Sequence, residues 1–474
     1  MNRIRACLLA LPLAAAGIAH AQSSGSAPAS SASDSVLTWK GITLYGIVDI
    51  GLQYQTHGAP VSDYFPNGTY SVVTKFDNGS VTGVTPNNLS QSRIGLSGNE
   101  PLLGDWAGVF RLETFFNPQS GDISDGLKSL VLDNGKALSA YTTGVDTSVA
   151  GQAFQIAYVG FSSPTYGSLT FGRHATPLAD GIAKYDPTGA SQAFSLIGES
   201  GVTAGGGDTE DRRLDESLKY TAKYDWLHAG ALYQFSGSTG STNTAVQVTL
   251  GADYAGLSVD GYYAKKYNAV SVSSLSAAQV ADVQKNCTTS ITPPAAPSAQ
   301  CYSVSNSLSG TISDNTSWAA MGLYSFDTVK LYAGYVHISY ANPGNPYEPG
   351  QPIIGGYVLA LANDTAFPND KILQVFWGGV KWTAIPDLDL IAVYEGYKQN
   401  AYATGADAGC STAAHSTCSG TENTASVVLD YRLSQRFDVY IGSIWSQVEG
   451  GLASGFTLGE TSTVTSTMGV RFKF

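Results

Sequence analysis

Apolar and polar residues alternate along most of the chain, in segments of about ten residues separated by turn-rich stretches. In the first segment, one parity holds Ile42, Leu44, Val48, Ile50, Leu52 and Tyr54, and the other holds Thr43, Tyr45, Asp49 and Gln53. In the last segment, Met468, Val470, Phe472 and Phe474 alternate with Thr467, Gly469, Arg471 and Lys473. Because successive side chains of a strand point to opposite faces, this alternation predicts β-strands with one apolar face.

The same pattern predicts about sixteen strands of a closed sheet. They lie near residues 41–54, 90–99, 106–116, 152–162, 167–174, 215–224, 228–236, 244–254, 257–267, 315–326, 328–340, 370–382, 387–398, 422–433, 437–448 and 462–474. Their connections alternate between short turns (163–166, 254–256 and 326–327) and long polar loops (55–89, 117–151, 174–214 and 268–314). An even number of strands with this alternation is typical of an all-β fold, the transmembrane antiparallel β-barrel with short periplasmic turns and long extracellular loops.

A soluble multi-sheet protein is the alternative fold, since sandwiches and propellers also use short alternating strands. Strands longer than the usual five or six residues, and aromatic residues near the strand ends, favour the barrel. Composition agrees, with 53 Gly and 27 Tyr but only 3 Met, and with 13% charged residues. The 474 residues show no break in the strand pattern, so we predict a single barrel domain over residues 38–474.

The N-terminus has the three parts of a secretory signal peptide. A basic start, Met-Asn-Arg-Ile-Arg, precedes an apolar run from Ala6 to Ile18 and a small-x-small site at residues 19–21. The apolar run is too short to cross a bilayer as a helix. We therefore predict a signal peptide over residues 1–21, followed by a flexible Ser/Ala/Gly segment over residues 22–37.

Net charge and cysteine usage narrow the partners. The formal net charge of −12 disfavours nucleic-acid binding, which needs a basic surface. Four cysteines outside the signal fall in two close pairs, Cys287 with Cys301 and Cys410 with Cys418. In an oxidising compartment this spacing favours two local disulfides in loops, and a metal site is the alternative. No cluster of His or Asp accompanies the pairs, so we predict no metal.

Five short motifs carry a resemblance to a known family. They are Leu-Tyr-Gly-Ile-Val-Asp at 44–49, Ser-Arg-Ile-Gly-Leu at 92–96, Ala-Tyr-Val-Gly-Phe at 157–161, Tyr-Gly-Ser-Leu-Thr-Phe-Gly-Arg at 166–173, and the terminal Phe474. In this order they resemble the Gram-negative general diffusion porins, above all the trimeric porins of betaproteobacteria. The matches extend over nearly the whole chain after the signal.

The resemblance implies a water-filled outer-membrane channel for passive diffusion of small hydrophilic solutes and ions, with no cofactor and no enzymatic activity. It implies a homotrimer that contacts outer-membrane lipid and lipopolysaccharide. It also implies recognition by the barrel-assembly machinery, which reads a terminal strand ending in an aromatic residue, here Phe472 and Phe474.

The family folds its third long loop into the barrel, where acidic loop residues face a basic wall. Here that loop is expected at about 174–214, and the acidic candidates are Glu199, Asp208, Glu210 and Asp211. The basic candidates are Arg93, Arg111 and Arg173. Ile47 stands where enterobacterial relatives often have a basic residue, so the resemblance implies a basic ladder with one rung fewer.

Parity supports two of these arginines directly. Arg93 and Arg111 fall on the polar parity of their strands, and a wetted lumen accepts an Arg that lipid would not. Arg173 shares the parity of the lipid-facing Leu169 and Phe171, so it turns inward only if the strand ends or bulges near Gly172. For each arginine, an ion pair that stiffens the barrel is the alternative role.

Two other functions stay open at this stage. One is a substrate-selective channel, and the other is a plugged barrel whose loops, at 268–314 and 341–421, act as an adhesin or receptor. A hydrolase is disfavoured because no His is accompanied by the Ser and carboxylate motif of a nucleophile and its base.

Overall fold

The computed structural model of the protein describes residues 37–57, 79–119, 121, 154–200, 213–235, 244–274, 281, 308–346, 353–354, 357–358, 361–403, 417–453 and 460–474. Sixteen long strands run through them: β1 Ile42–Gln55, β2 Arg93–Pro101, β3 Ala107–Phe115, β4 Ile156–Ser163, β5 Gly167–Ala175, β6 Arg213–Tyr224, β7 Leu227–Gln234, β8 Ala245–Tyr254, β9 Leu257–Ser274, β10 Leu308–Phe326, β11 Val329–Ala341, β12 Lys371–Ile385, β13 Leu388–Gln399, β14 Gly420–Arg432, β15 Phe437–Gly450 and β16 Ser462–Lys473. All sixteen correspond to predicted strands, so the fold prediction is confirmed.

The strands close into a barrel. Each pairs antiparallel with the next, and β1 pairs with β16 from Ile47 opposite Lys473 to Gln55 opposite Thr465. At the seam, the Gly46 amide donates to the Phe474 carbonyl at 2.9 Å, and the Phe474 amide donates to the Gly46 carbonyl at 3.0 Å. This pairing closes the ring of the sixteen long strands, and such closure is the condition for crossing hydrocarbon with strands.

Two separate strands pair with the same side of β1. Residues 42–47 of β1 pair with β2, and residues 50–55 pair with a short strand, Val81–Pro86. The segment between these two strands is held by the buried Asp49 carboxylate, which accepts the amides of Leu89 and Ser90 at 3.0 and 2.7 Å. The Tyr440 hydroxyl donates to the same carboxylate at 2.5 Å. Residues 87–92 therefore form a fixed shelf on the inner wall.

The two faces of the sheet have opposite chemistry, as the alternation predicted. On β1, Leu52 is 52% exposed, whereas its neighbour Gln53 is 2% exposed. The outward face is apolar all round the barrel, with large exposed side chains that include Leu112, Val159, Phe161, Leu250, Val427, Ile441 and Met468. The inward face carries the charged groups.

The loops hold elements that the sequence pattern did not predict. Two helices lie between β5 and β6: α1, Pro177–Tyr185, and α2, Leu196–Ser200. A 3₁₀ turn, Gly451–Ala453, follows β15. Short strands lie at Leu37–Trp39, Ile353–Ile354, Tyr357–Val358 and Leu361–Asn363. Among the described residues, no helix has the length and apolar content that a membrane-crossing helix needs.

The largest difference from the predicted strands is in the β9–β10 hairpin. Both strands continue seven residues beyond their predicted ends, to Ser274 and from Leu308. The pairing register shifts between Lys266 and Ala269, and Asn268 between them has φ 50°. This bulge interrupts the alternation, and the predicted strand therefore ended at the bulge.

Candidate functional site

Three residues of strands β1 and β3 form a compact hydrogen-bonded network on the inner wall. The Arg111 guanidinium donates to a Glu113 carboxylate oxygen at 2.6 Å and to the Tyr45 hydroxyl at 2.7 Å. The Tyr45 hydroxyl donates to the same Glu113 oxygen at 2.9 Å. Arg93 lies beside the network, with its Nε 3.9 Å from that oxygen. Both arginines therefore lie on the lumen face that their parity predicted.

Arg173 also lies on the inner wall, and the backbone shows why. Gly172 has φ 139°, and the pairing of β5 with β6 shifts register between Gly172 and His174. A Cβ at Gly172 would lie 2.1 Å from the Ala157 carbonyl oxygen, so glycine is required there. The bulge turns the Arg173 side chain inward, where its guanidinium forms an ion pair with Asp215.

The structure adds a fourth arginine. Arg213 begins β6, and its guanidinium carbon lies 4.6 Å from the centroid of the Phe115 ring on β3. The sequence analysis predicted a loop up to residue 214 and therefore did not identify Arg213 as a residue of the inner wall. Arg93, Arg111, Arg173 and Arg213 together line the β2–β6 side of the lumen, and we call them the arginine wall.

The chain after β5 begins with α1, which has the local signals of a helix start. Thr176 caps it by accepting the Ala179 amide at 3.1 Å, and Pro177 occupies the first turn. Its apolar side chains, Leu178, Ile182 and Tyr185, are buried. They pack against inward-facing residues of β10, β11 and β12, namely Ala319, Met321, Val336, Ile338, Val375 and Trp377. The helix therefore covers the apolar part of the inner wall.

Polar contacts fix both ends of α1 to the wall. Lys219 on β6 donates to the Asp180 carboxylate at 2.6 Å and to the Ala175 carbonyl at 2.9 Å. At the other end, the Tyr185 hydroxyl hydrogen-bonds with the Asp260 carboxylate on β9, and the Trp377 indole donates to the Tyr185 carbonyl at 2.9 Å. Burial and the Asp260 carboxylate raise the pKa of the Tyr185 hydroxyl, so it stays protonated and keeps donating.

The chain then continues to the opposite side of the barrel. The Ala193 amide and the Ser191 hydroxyl donate to the Asn88 carbonyl on the shelf, at 2.9 and 2.7 Å. The Phe194 ring meets the Tyr440 ring of β15 edge-on, at 6.2 Å. The segment 176–200 thus contacts inward-facing residues from β6 round to β15 and narrows the lumen between them.

Two buried acids hold the far end of this segment. The Glu395 carboxylate of β13 accepts the Ser195 hydroxyl at 2.7 Å and the Leu196 amide. Asp186, directly after α1, accepts the Thr188 and Ala190 amides at 3.0 and 2.8 Å. Burial, although countered by these hydrogen bonds, raises the pKa of the Asp186 carboxyl above its ordinary value. The folded protein therefore holds the proton of Asp186 more tightly than a solvated carboxyl does.

Several predicted site residues lie outside what the structure describes. Asp208, Glu210 and Asp211 fall in residues 201–212, and the side chain of Glu199 is likewise outside the description. The same is true of residues 1–36 and of Cys287, Cys301 and Cys410. Cys418 is buried and disulfide-bonded. Its pairing with Cys410 stays a prediction.

The histidines do not form an accessible nucleophile site among the described residues. His174 lies 2.8 Å from the Ser217 hydroxyl, but its other ring nitrogen lies 2.9 Å from the Thr170 hydroxyl and not from a carboxylate. Both His174 and Ser217 are buried. His228 pairs with the Asp260 carboxylate at 2.6 Å within a cluster of ion pairs. No group of three His, Cys, Asp or Glu side chains in the described part of the chain is arranged to hold a metal ion.

Comparison with known proteins gives three kinds of match. The model of the Gram-negative porin family matches residues 6–443. A curated relative, an outer membrane porin protein of Bordetella pertussis, is 26% identical over 197 residues, which are 41% of this chain and 43% of the relative. The match therefore spans less than half of that relative's length.

Solved structures show a similar fold. The anion-selective porin from Comamonas acidovorans superimposes with a TM-score of 0.57 at 16% identity, covering 91% of this chain and 99% of that one. The trimer form of OmpT from Vibrio cholerae superimposes with a TM-score of 0.51 at 11% identity, again covering 91% and 99%. At these low sequence identities, the similarity shows a shared fold and nothing more.

Proposed function

The chain belongs to the Gram-negative porin family and is an outer-membrane β-barrel; from this premise we propose that it forms a water-filled channel for passive diffusion of small hydrophilic solutes and ions. The channel follows the barrel axis, past the arginine wall on one side and segment 176–200 on the other. No bond of the solute is made or broken, so the proposal assigns the chain no enzymatic activity and no cofactor.

One observation carries the proposal: the arginine wall faces a lumen that segment 176–200 narrows. Four guanidinium groups share that wall, where Arg111 and Arg173 form ion pairs with Glu113 and Asp215. Fixed positive charges gathered on one side of a narrow aqueous passage set a transverse field, which orders water and selects solutes by charge and dipole. The wall therefore acts as the basic side of the constriction.

The acidic side of the constriction is part of the same proposal. Glu199, Asp208, Glu210 and Asp211 follow the anchored part of the segment, and β6 begins at Arg213 directly after them. We propose that these acids face the arginine wall.

The test is single-channel conductance of the purified protein in a planar bilayer under a KCl gradient. Arg93→Ala and Arg173→Ala each remove one positive charge from the arginine wall, and we expect the reversal potential to move toward cation selectivity. Arg436→Ala, in the periplasmic turn between β14 and β15, removes the same charge outside the constriction and serves as the matched control. We expect it to change the reversal potential less than either wall variant.

Three outcomes would count against the proposal in different ways. A protein that inserts but carries no current would favour the plugged barrel whose loops act as an adhesin or receptor. Steady openings with the same reversal potential in all four proteins would support a channel but contradict the constriction. A current blocked by a single class of compound would favour the substrate-selective channel.

We also propose that three barrels associate as a homotrimer, the state in which OmpT from Vibrio cholerae, a barrel of similar fold, has been solved in its trimer form. Native mass measurement in mild detergent tests it, and a monomer alone would contradict it. Contact with lipopolysaccharide, recognition by the barrel-assembly machinery and removal of residues 1–21 belong to the same proposal. N-terminal mass analysis of the mature protein, with Gln22 expected first, tests the last of these.

A further inference from the structure

Two lysines face each other in the periplasmic half of the lumen, away from the constriction. Lys330, near the start of β11, is directly opposite Lys381 of β12 in the register of the sheet. Both lie on the inward parity, since the outward neighbours Leu331 and Trp382 are exposed to the membrane. Directly opposed residues of antiparallel strands have Cα atoms only about 5 Å apart, so like charges there destabilise the sheet.

A nearby carboxylate forms an ion pair with Lys381 but not with Lys330. Asp389 of β13 accepts the Lys381 ammonium at 2.9 Å, the Arg432 guanidinium at 2.7 Å and the Thr383 hydroxyl at 2.8 Å. A second Arg432 nitrogen lies 3.4 Å from it. These contacts use the about four acceptor positions that a carboxylate offers. Asp389 therefore has no position left for Lys330.

Lys330 has no ion-pair partner within 4 Å among the described residues. The charged groups that act on its ammonium are Lys381, which opposes it, and Asp389. Asp389 forms its ion pair with Lys381, and Asp430 of β14 also acts on Lys381 but not on Lys330. Lys330 is therefore the lysine of the pair whose charge no described carboxylate neutralises by direct contact.

The group is open to the lumen. The side chains of Lys381 and Arg432 are 29% and 30% exposed, whereas that of Asp389 is 4% exposed. Tyr332, two residues after Lys330 on the inward parity, adds a hydroxyl on the same wall. Positive groups thus face the water, and the carboxylate lies behind them.

We propose that Lys330 and Lys381 form a subsite for the phosphate group of a permeating solute. The two ammonium groups keep five N–H donors, since Lys381 donates one to Asp389. These donors and the two positive charges match a phosphate group with its two negative charges and its acceptor oxygens. Binding replaces the repulsion between the lysines by attraction to a shared anion. The subsite rests on the proposed channel function, because the solute reaches it through the lumen.

The experiment measures chloride current through the channel in KCl as inorganic phosphate is added, with acetate as the single-charge comparison. In the unmodified protein we expect phosphate to reduce the current in a saturable way, at concentrations about tenfold lower than acetate needs. Lys330→Gln should raise the half-effective phosphate concentration about tenfold, as expected for losing one charge-assisted contact.

Lys223→Gln is the matched control. Lys223 is an inward-facing lysine at the periplasmic end of β6, and its ammonium lies 3.4 Å from Asp253. Lys223→Gln removes one positive charge from the same end of the lumen but leaves Lys330 and Lys381 unchanged. We therefore expect the half-effective phosphate concentration to change less than twofold. Equal shifts in the two variants would overturn the subsite and leave only the general field of the pore, and equal potency of acetate and phosphate would overturn the phosphate class.

Calorimetric titration of the detergent-solubilised protein with phosphate separates the subsite from the channel. Heat that saturates in the unmodified protein and is lost in Lys330→Gln supports the subsite even if the bilayer shows no current. A bilayer current in KCl with no effect of phosphate and no heat overturns the subsite while leaving the channel intact.

Discussion

The Arg111 guanidinium lies 2.6 Å from a Glu113 carboxylate oxygen that the Arg93 guanidinium reaches only at 3.9 Å. One buried carboxylate thus serves two arginines unequally. Arg111 is held by the network, with its side chain 8% exposed, whereas the Arg93 side chain is 17% exposed. We therefore propose different roles for the two arginines, a structural role for Arg111 and a solute-facing role for Arg93.

This difference predicts opposite rankings in two measurements. Arg111→Ala leaves Glu113 without its closest partner, and we expect the free energy of unfolding in lipid vesicles to fall by about 3 kcal/mol. Arg93→Ala should reduce the free energy of unfolding less than Arg111→Ala does, but it should move the reversal potential further toward cation selectivity. Arg93→Lys keeps the positive charge and should restore most of the original reversal potential. A larger shift in reversal potential for Arg111→Ala than for Arg93→Ala would contradict this assignment.

The second prediction concerns the bulge that places Arg173. Gly172→Ala puts a Cβ 2.1 Å from the Ala157 carbonyl at a φ of 139°, so the strand has to shift. We expect a loss of about 1–3 kcal/mol of stability, together with a reversal potential like that of Arg173→Ala. Gly378→Ala is the matched control on β12, because its nearest contact, a carbonyl oxygen, is 3.8 Å away. Equal stability of the two variants would show that the bulge is not required.

These residues show which features of the fold and of the candidate site can be predicted from the sequence. Period-two alternation identified the sixteen strands and placed Arg93 and Arg111 on the inner wall, because parity alone decides which face a strand residue occupies. Arg173 broke the parity, and only the glycine before it suggested a bulge. Arg213 was missed because it begins a strand directly after a long polar loop.

The contacts inside the lumen could not be predicted from the sequence. Asp186 and Glu395 are about two hundred residues apart, and neither lies in a recognisable motif. Their proximity depends on a loop crossing the barrel, and no local pattern encodes such a crossing. Lys330 and Lys381 are brought together by strand register, which depends on loop geometry as well as on parity.

The third prediction is a pH dependence of stability. The folded-state pKa of Asp186 is raised above its ordinary 3.8 because the carboxyl is buried. The folded protein therefore holds this proton more tightly than the unfolded chain does, and the contribution is lost as the pH rises from about 4 through the folded-state pKa. We expect the thermal unfolding temperature to fall over that range in the unmodified protein and to fall less in Asp186→Asn, which keeps an uncharged amide in place.

Asp105 supplies a control of opposite sign. Its carboxyl lies in the turn between β2 and β3, and the hydrogen bond from the Ser163 hydroxyl, 2.7 Å long, lowers its pKa. Its contribution is present at neutral pH and is lost as the pH falls, so Asp105→Asn should reduce the acid dependence of stability. Identical pH profiles for Asp186→Asn and the unmodified protein would contradict the burial of an acidic proton after α1.

The last prediction separates two roles of the terminal residue. The Phe474 ring lies over Gly46, where a Cβ would come within 2.3 Å of it, and the Phe474 backbone makes both hydrogen bonds at the seam. Phe474→Ala keeps those hydrogen bonds and loses only the ring contact, about 2 kcal/mol. We therefore expect near-normal refolding in detergent but a marked loss of assembled barrel in cells. Phe161→Ala, which removes a lipid-facing ring from β4 outside the terminal strand, is the control. Deletion of Phe474 should impair both measurements, and normal assembly of Phe474→Ala in cells would show that the ring serves the seam alone.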